Sequence, residues 1–344
     1  MRVIQWATGS VGRTTLRRII DSPDLELVGV YVTNPNKVGL DAGAIAKRPN
    51  TGIHATNNIE EILALDADVV IHTPLLLPPY ERQNDEVIRL LASGKNVIST
   101  NGFYRPMFQG EAYSGPLLRA AQQGGATLAG SGLNPGVIAE RLVTTYSAMM
   151  ARIDHIRTRE TIDASQSGSP GMIFGTMGLG VDPQAHDLTT GPLAQLYNRF
   201  FAEVFDYVAD KLGTSVTHIE PQHQLTLAPR DIELSVGVIS KGCVAATTWQ
   251  WLGTFANGIT MEHKILWTVA MDMHEVGDSS HWVVELQGRP NLRGTLDLSD
   301  RDPHAPPARA AMDATAAVIM NLIPSVVAAP AGFFDLPALT PYRG

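Results

Sequence analysis

The chain has 344 residues, 44% of them hydrophobic and 17% charged, the composition of an ordinary folded protein long enough for about two domains. Its 26 Lys and Arg against 34 Asp and Glu give a formal charge of −8 with no basic block, which argues against nucleic acid or an anionic membrane as the main partner. The single cysteine, Cys243, excludes an intramolecular disulfide framework and fits a reducing, cytoplasmic setting.

No secretory signal is expected, because Met1-Arg2 runs straight into a strand. The most apolar stretch, residues 314–331, reads as interrupted by Asn321 and Pro324, and so as too short to span a bilayer. The first element is Arg2-Val3-Ile4-Gln5-Trp6, which breaks into Ala7-Thr8-Gly9-Ser10-Val11-Gly12. A helix follows, with Leu16, Ile19 and Ile20 on one face and Arg13, Arg17 and Arg18 on the other. Strand, glycine turn and helix are the setting of a dinucleotide site. Gly9 would admit the pyrophosphate, Gly12 would let the helix lie close to the strand, and the phosphates would take the free N–H groups at the helix start. Ala7 stands where the first glycine of G-x-G-x-x-G is expected, so the string alone is a weak signal and an ordinary βα turn competes with it.

Residues 25–32, 68–72 and 96–100 read as further buried strands. A helix beginning beside Pro78-Pro79 carries Val87, Ile88, Leu90 and Leu91 and stops at Gly94. A second, over residues 115–123, feeds a strand at 126–129. Apolar strands alternating with helices predict a Rossmann-type doubly wound parallel sheet in an α/β protein. Past residue 150 the texture changes. Period-2 stretches at 232–240, 243–252, 259–269, 281–286 and 292–298, with turns at Lys241-Gly242, Asn257-Gly258, Gly277-Asp278 and Pro290-Asn291, predict an antiparallel meander. One helix over 192–212 places Leu196, Phe200, Phe201, Val204, Phe205 and Val208 in a core stripe. The loop 302–307 leads to an Ala-rich helix over 308–323, closed by Pro324 and Ala329-Pro330-Ala331-Gly332, which is expected to return to the nucleotide domain. Residues 1–136 with 306–344 thus form the expected dinucleotide-binding domain, and 137–305 an α+β substrate domain.

NAD-preferring sheets commonly end the second strand on an acid that takes the ribose hydroxyls. This strand ends Val32-Thr33-Asn34-Pro35-Asn36-Lys37, without one. Asn34 and Lys37 could donate to a 2′-phosphate, which favours NADP(H) over NAD(H); a solvated loop lysine is the competing account. Ligands of such sheets lie past the carboxyl ends of the strands, where three polar stretches fall: His72-Thr73-Pro74, Thr100-Asn101-Gly102-Phe103-Tyr104 and Gly130-Ser131-Gly132-Leu133-Asn134-Pro135-Gly136. His72 reads equally as hydrogen-bonded structure. Asn134 reads as the N-cap of a helix with Pro135 at its first position, compatible with a role toward the nicotinamide. The expected cofactor set is Thr8, Gly9, Ser10, Val11, Gly12, Asn34, Lys37, His72, Thr73, Pro74, Thr100 and Asn134.

Taken together, Trp6-Ala7-Thr8-Gly9-Ser10-Val11-Gly12, Val97-Ile98-Ser99-Thr100, Gly132-Leu133-Asn134-Pro135-Gly136, Ile162-Asp163-Ala164-Ser165, Asn321-Leu322-Ile323-Pro324 and Ala329-Pro330-Ala331-Gly332 carry a resemblance. The chain resembles the dihydrodipicolinate reductase-like superfamily and, within it, the 2,4-diaminopentanoate dehydrogenase and native amine dehydrogenase group. The resemblance implies a nucleotide domain, a second domain that also builds a homodimer, and hydride transfer between nicotinamide and a C–N or C=N carbon. It also implies a Glu in the loop after the NVIST strand, near the reacting nitrogen. This chain departs there: it has Asn101-Gly102-Phe103-Tyr104, and the nearest carboxylate is Glu111. The paired histidines and the Lys of true dihydrodipicolinate reductases are missing as well, so lysine biosynthesis is not implied.

Tyr104, with Asn101 beside it, is the candidate acid or hydrogen-bond donor in place of that Glu; a loop aromatic against the cofactor is the alternative. Glu160, His186 and His263 form a second rank, each competing with an ordinary place on the surface or in the meander. Met172, Phe174, Met177, Leu179, Trp249 and Trp251 favour a small apolar substrate in an interdomain cleft, unless they are plain core. The scattered histidines predict no catalytic metal, and no G-x-x-x-x-G-K-[ST], H-E-x-x-H or G-x-S-x-G is present. The expected activity is NAD(P)H-dependent oxidoreduction of a small amine, imine or ketone. A nucleotide-bound sensor without turnover is the rival, and a dehydrogenase using Cys243 is disfavoured by its place in a strand.

Overall fold

A computed structural model describes residues 1–274, 281–306, 308–338 and 341–342; the expected turn at Gly277-Asp278, and Pro307 of the 302–307 loop, lie outside them. The chain divides into two compact units, described separately. The first comprises Met1–Leu76, Glu81–Leu133 and Met312–Leu336; the second comprises the described residues of Leu77–Tyr80, Asn134–Ala311 and Pro337–Gly344.

In the first unit, β1 (Arg2–Trp6), β2 (Glu26–Tyr31), β3 (Ala55–Thr56), β4 (Val69–His72), β5 (Asn96–Ser99), β6 (Thr127–Gly130) and β16 (Gly332–Phe333) form one sheet in the order β16-β6-β5-β4-β1-β2-β3. Every pair is parallel. The helices are α1 (Ser10–Asp21), α2 (Ala42–Ala46), α3 (Ile59–Ala64), α4 (Asn84–Ala92), α5 (Glu111–Gly124) and most of α8 (Ala308–Val327). Helices interleaved with the strands are what the apolar runs demand: Val3, Ile4, Val69, Val70, Ile71, Val97, Ile98 and Leu128 are fully buried. Leu16 and Ile19 close α1 onto the sheet, each contributing about 1.5–3 kcal/mol by burial.

The C-terminal segment of the first unit departs from expectation. The helix does not stop at residue 323 but runs through Pro324 to Val327, because a proline this near the end forfeits a single N–H bond. As a result α8 is, by length and composition, long and apolar enough to cross a membrane, contrary to the sequence reading. Ala316, Ile319, Leu322, Ile323 and Val326 are its buried face. Gly332 then donates to the Ala126 carbonyl, and Thr127 Oγ1 donates to the carbonyls of Ala329 and Pro330, so the Ala329-Pro330-Ala331-Gly332 stretch lays an unforeseen edge strand beside β6.

In the second unit, α6 (Val143–Ser147) and α7 (Pro192–Lys211) accompany β7 (Arg152–Asp163), β8 (Val216–Pro221), β9 (Gln224–Leu227), β10 (Ile232–Leu234), β11 (Gly237–Ile239), β12 (Val244–Phe255), β13 (Thr260–Thr268), β14 (Trp282–Arg289) and β15 (Leu292–Leu296). The large sheet runs β15-β14-β7-β13-β12-β8, with β9 also on β12. It is mixed, not a plain antiparallel meander: β7 is inserted between β14 and β13 and lies parallel to β13. The expected strand at 232–240 is instead a separate small hairpin of β10 and β11. Tyr197, Phe201 and Phe205 of α7 cover the inner face of the large sheet, with Phe201 4.7 Å from Trp251 and Phe205 filling the space a side chain at Gly253 would need.

Candidate active site

In the first unit the glycine turn is built from the backbone upward. Ala7 takes φ 67°, the left-handed conformation for which the fingerprint places a glycine, and its N–H donates to the Tyr31 carbonyl at 2.9 Å. A Cβ on Gly12 would lie 2.3 Å from the Ala7 carbonyl oxygen and 2.7 Å from Thr73 Oγ1, so only glycine allows α1 to start here. A Cβ on Gly9 meets nothing within 4 Å. No side chain caps α1, and its first intrahelical bond runs from Arg13 to Gly9, which leaves the N–H groups of Ser10, Val11 and Gly12 without a helical acceptor.

Gln5, which the sequence reading passed over, is the brace beneath this turn. Fully buried, it donates from Nε2 to the Ala7 carbonyl and to Thr73 Oγ1, both at 2.9 Å, and accepts from Thr15 Oγ1 at 2.6 Å. Lys37 is no solvated loop charge: its Nζ donates to the Thr8 carbonyl at 2.8 Å and to Thr8 Oγ1 at 3.0 Å. Burial, and then the nearby Arg13 charge, push its pKa below the usual lysine value. Asn34 accepts from the Asn36 N–H at 2.9 Å and caps the short turn Pro35–Lys37 that carries Lys37. An uncapped helix start, open space over Gly9 and a half-buried cation beside a second one fit the phosphates of a dinucleotide.

At the rim of β4 and β5 the side chains mostly serve the scaffold. His72 has no exposure, and its Nδ1 and Nε2 are spent on Ser99 Oγ at 2.9 Å and Glu86 Oε1 at 2.8 Å. Its ring therefore has no nitrogen left to offer a cofactor. Thr73 Oγ1 donates to the Trp6 carbonyl at 3.1 Å. Asn101 Nδ2 donates to the Pro74 carbonyl at 2.8 Å, tying the two rim loops together, and Thr100 is half-buried beside it. Tyr104 is buried, and its loop lies so close to Gly130 that a Cβ there would sit 2.5 Å from the Tyr104 nitrogen.

In the second unit a carboxylate stands on the inner face of the sheet. Glu160 of β7 is paired in register with Trp282 of β14. Its Oε2 accepts from Trp282 Nε1 and Asn134 Nδ2, and its Oε1 from Trp267 Nε1, each at 2.8 Å. Burial raises its pKa, opposed by these three donors. Tyr197 lies 5.5 Å edge-on to Trp267 and 4.9 Å from Trp249; burial and then the Glu160 charge raise its phenol pKa. Asn134 is not a helix cap. The Asn134-Pro135 bond is cis, Gly136 has φ 122°, outside the helical region, and the helical turn begins only at Ile138. The Gly136 N–H goes instead to Glu140 Oε2 at 2.7 Å; burial lifts the Glu140 pKa to about 7.

Residues 137–342 match the family model of the 2,4-diaminopentanoate dehydrogenase C-terminal domain. The chain belongs to that family. Residues 3–74 match the model of the dihydrodipicolinate reductase N-terminus. The chain is 26% identical over 313 residues to an amine dehydrogenase of Streptomyces virginiae, covering 86% of this chain and 85% of that one. It is 25% identical over 280 residues to a 2,4-diaminopentanoate dehydrogenase of Acetoanaerobium sticklandii, covering 79% and 74%. The solved amine dehydrogenase from Mycobacterium smegmatis shares the fold, with a TM-score of 0.81 at 19% identity over 99% of this chain and 98% of that one. Membership in this family of Rossmann-type dehydrogenases makes the chain an oxidoreductase that uses a nicotinamide cofactor.

Of the second-rank candidates, Glu160 is buried among polar partners, whereas His186 is exposed in a turn. His263 stacks on Trp251 with its Nδ1 on Thr158 Oγ1, and burial holds its pKa down to about 3, so it is a neutral core group. Trp249, Trp251 and Leu179 are core, while Met172 and Phe174 keep partial exposure. Cys243 sits half-buried, one residue ahead of β12. Among the described residues no cluster of three or more His, Cys, Asp or Glu could hold a metal ion.

Proposed function

We propose that the chain is an NADP(H)-preferring dehydrogenase of small, largely apolar amines. The observation that carries the cofactor preference is Lys37, drawn onto the glycine turn next to Arg13 where β2 ends without an acid. Two cations and no carboxylate favour a 2′-phosphate, and a guanidinium or ammonium contact to phosphate is among the strong hydrogen bonds. The amine assignment draws on the names of the relatives, an amine dehydrogenase and a 2,4-diaminopentanoate dehydrogenase.

The nicotinamide supplies the hydride chemistry. The chain's own work is to hold the diphosphate on the N–H groups of Ser10, Val11 and Gly12, to neutralise charge with Lys37, and to shape the rim through Thr73, Pro74, Thr100 and Asn101. Tyr104 stands in this proposal as the hydrogen-bond donor of the β5 rim. The single cysteine and the net charge of −8 support a cytoplasmic enzyme with small-molecule partners, and its family resemblance supports a homodimer.

Steady-state assays with primary amines and each oxidised cofactor test the reading. NADP+ should be used with the higher kcat/KM, and Lys37→Ala should cost NADP+ ~10-fold while sparing NAD+. Equal use of both cofactors would remove the preference. Tight nucleotide binding without turnover across amines, alcohols and ketones would remove the enzyme proposal.

A further inference from the structure

We propose that Glu160, with the Asn134 amide turned toward it, forms a nitrogen-recognition site in the second unit, a buried acceptor that receives the N–H groups of a primary alkylammonium ion. This rests on the reading of the chain as an amine dehydrogenase. Glu160 is 5% exposed, and all three of its partners are neutral N–H donors: the Asn134 amide, Trp267 and Trp282. Among the described residues no Lys, Arg or His forms an ion pair with it, and His281 acts on it through its charge alone. A buried carboxylate without an ion-pair partner is costly to keep, and such a group in a polar recess is the kind kept for function.

The second observation is independent. A carboxylate offers only acceptors, so Asn134 must turn its NH2 toward Glu160, which sends Oδ1 the other way. That oxygen is buried and has no hydrogen-bond partner. Oε1 of Glu160 accepts one N–H, and a carboxylate oxygen has the lone pairs to accept a second. The site is therefore rich in donors already spent and short of donors still to come. An alkylammonium brings several N–H groups and the missing positive charge, whereas an alcohol brings one O–H and no charge. Trp267, Trp282 and Tyr197 exclude water around the pair and strengthen it.

With the ammonium bound, Oε1 can take one of its protons. The N–H bond breaks, an O–H bond forms, and carboxylate plus ammonium become carboxylic acid plus neutral amine. The chain would thereby regain the proton acceptor that its Asn101-Gly102-Phe103-Tyr104 loop lacks.

The test is a titration of the full chain, loaded with NADPH, against cyclohexylammonium and cyclohexanol, followed by tryptophan fluorescence. The wild type should bind the ammonium ~10-fold or more tightly than the alcohol, and Glu160→Gln should weaken the ammonium ~30-fold and erase the preference while leaving NADPH affinity unchanged. Should Glu160→Gln lose NADPH binding through misfolding, Asn134→Ala removes Oδ1 and keeps the carboxylate, with a loss of ~5-fold expected for the ammonium alone. Equal binding of ammonium and alcohol by the wild type overturns the site. So does a wild-type preference retained in both variants, or an Asn134→Ala defect confined to NADPH. Glu160-dependent ammonium binding without turnover would sink the dehydrogenase reading and leave the site standing. Amine turnover with KM unchanged in both variants would do the reverse.

Discussion

The two units meet charge in opposite ways. The glycine turn of the first holds out main-chain N–H groups and two cations and places no acidic side chain among them. The inner face of the second buries carboxyl groups, Glu160 beneath two indoles and Glu140 on a glycine N–H, with Glu203 near enough to raise Glu140 further. The first arrangement suits a polyanion and the second a cation. The difference also sets how each is built. Main-chain donors come free with any helix start and need only glycines for access, whereas a buried carboxyl must be stabilised by partners gathered from several strands.

The largest effect should come from the second region. The Glu140 pKa is raised from an ordinary 4.5 to about 7, with Oε1 buried and unpartnered. The folded state thus holds this proton more tightly than the unfolded chain, so its stability is full below about pH 4.5 and falls as pH rises through about 7. Glu140→Gln should be up to about 3 kcal/mol more stable than wild type above pH 7, with the gap closing toward pH 4.5. Urea unfolding across that range measures it, and a pH-independent gap would mean that Glu140 is compensated.

The first region can be broken without touching the fold. Nothing of the protein lies near a Cβ on Gly9, so Gly9→Asp should leave the Tm in place. It should nonetheless weaken nucleotide binding on the order of 100-fold, because a carboxylate would face the diphosphate. Unchanged calorimetric affinity would end the proposed role of the turn. A smaller effect sharpens the comparison: Ala7→Gly relieves a left-handed alanine at φ 67° and should stabilise the chain by about 1 kcal/mol. A loss of stability instead would show that the Ala7 methyl is needed where it packs.

These regions differ too in how plainly the sequence announced them. The strands β1, β2, β4, β5 and β6 and the glycine turn were legible because each is contiguous, with strand, turn and helix within about twenty residues. Lys37 was legible by position, and its hold on Thr8 was not. Gln5 was hidden inside an apolar strand, where a single polar residue carries no periodic signal. Glu160 lies in a strand whose alternation, Ile156-Arg157-Thr158-Arg159-Glu160, puts polar side chains on both faces, so no pattern marks the buried one. Its partners come from residues 134, 267 and 282, and the last two are brought to it only by the parallel pairing of β7 with β13 and the antiparallel pairing with β14. Asn134 looked like a helix cap because Asn-Pro-Gly suits both a cap and a bend.

That central position of β7 bears on how the protein is made. The strand is complete at Asp163, while the neighbours that flank it begin at Thr260 and Trp282. A nascent second unit must therefore leave the ribosome with its middle strand unsatisfied on both sides, its inner face, with Glu160 on it, waiting for partners still being translated. Pairings of such long sequence separation form late and slowly, so this stretch is where chaperone dependence and aggregation during synthesis should concentrate.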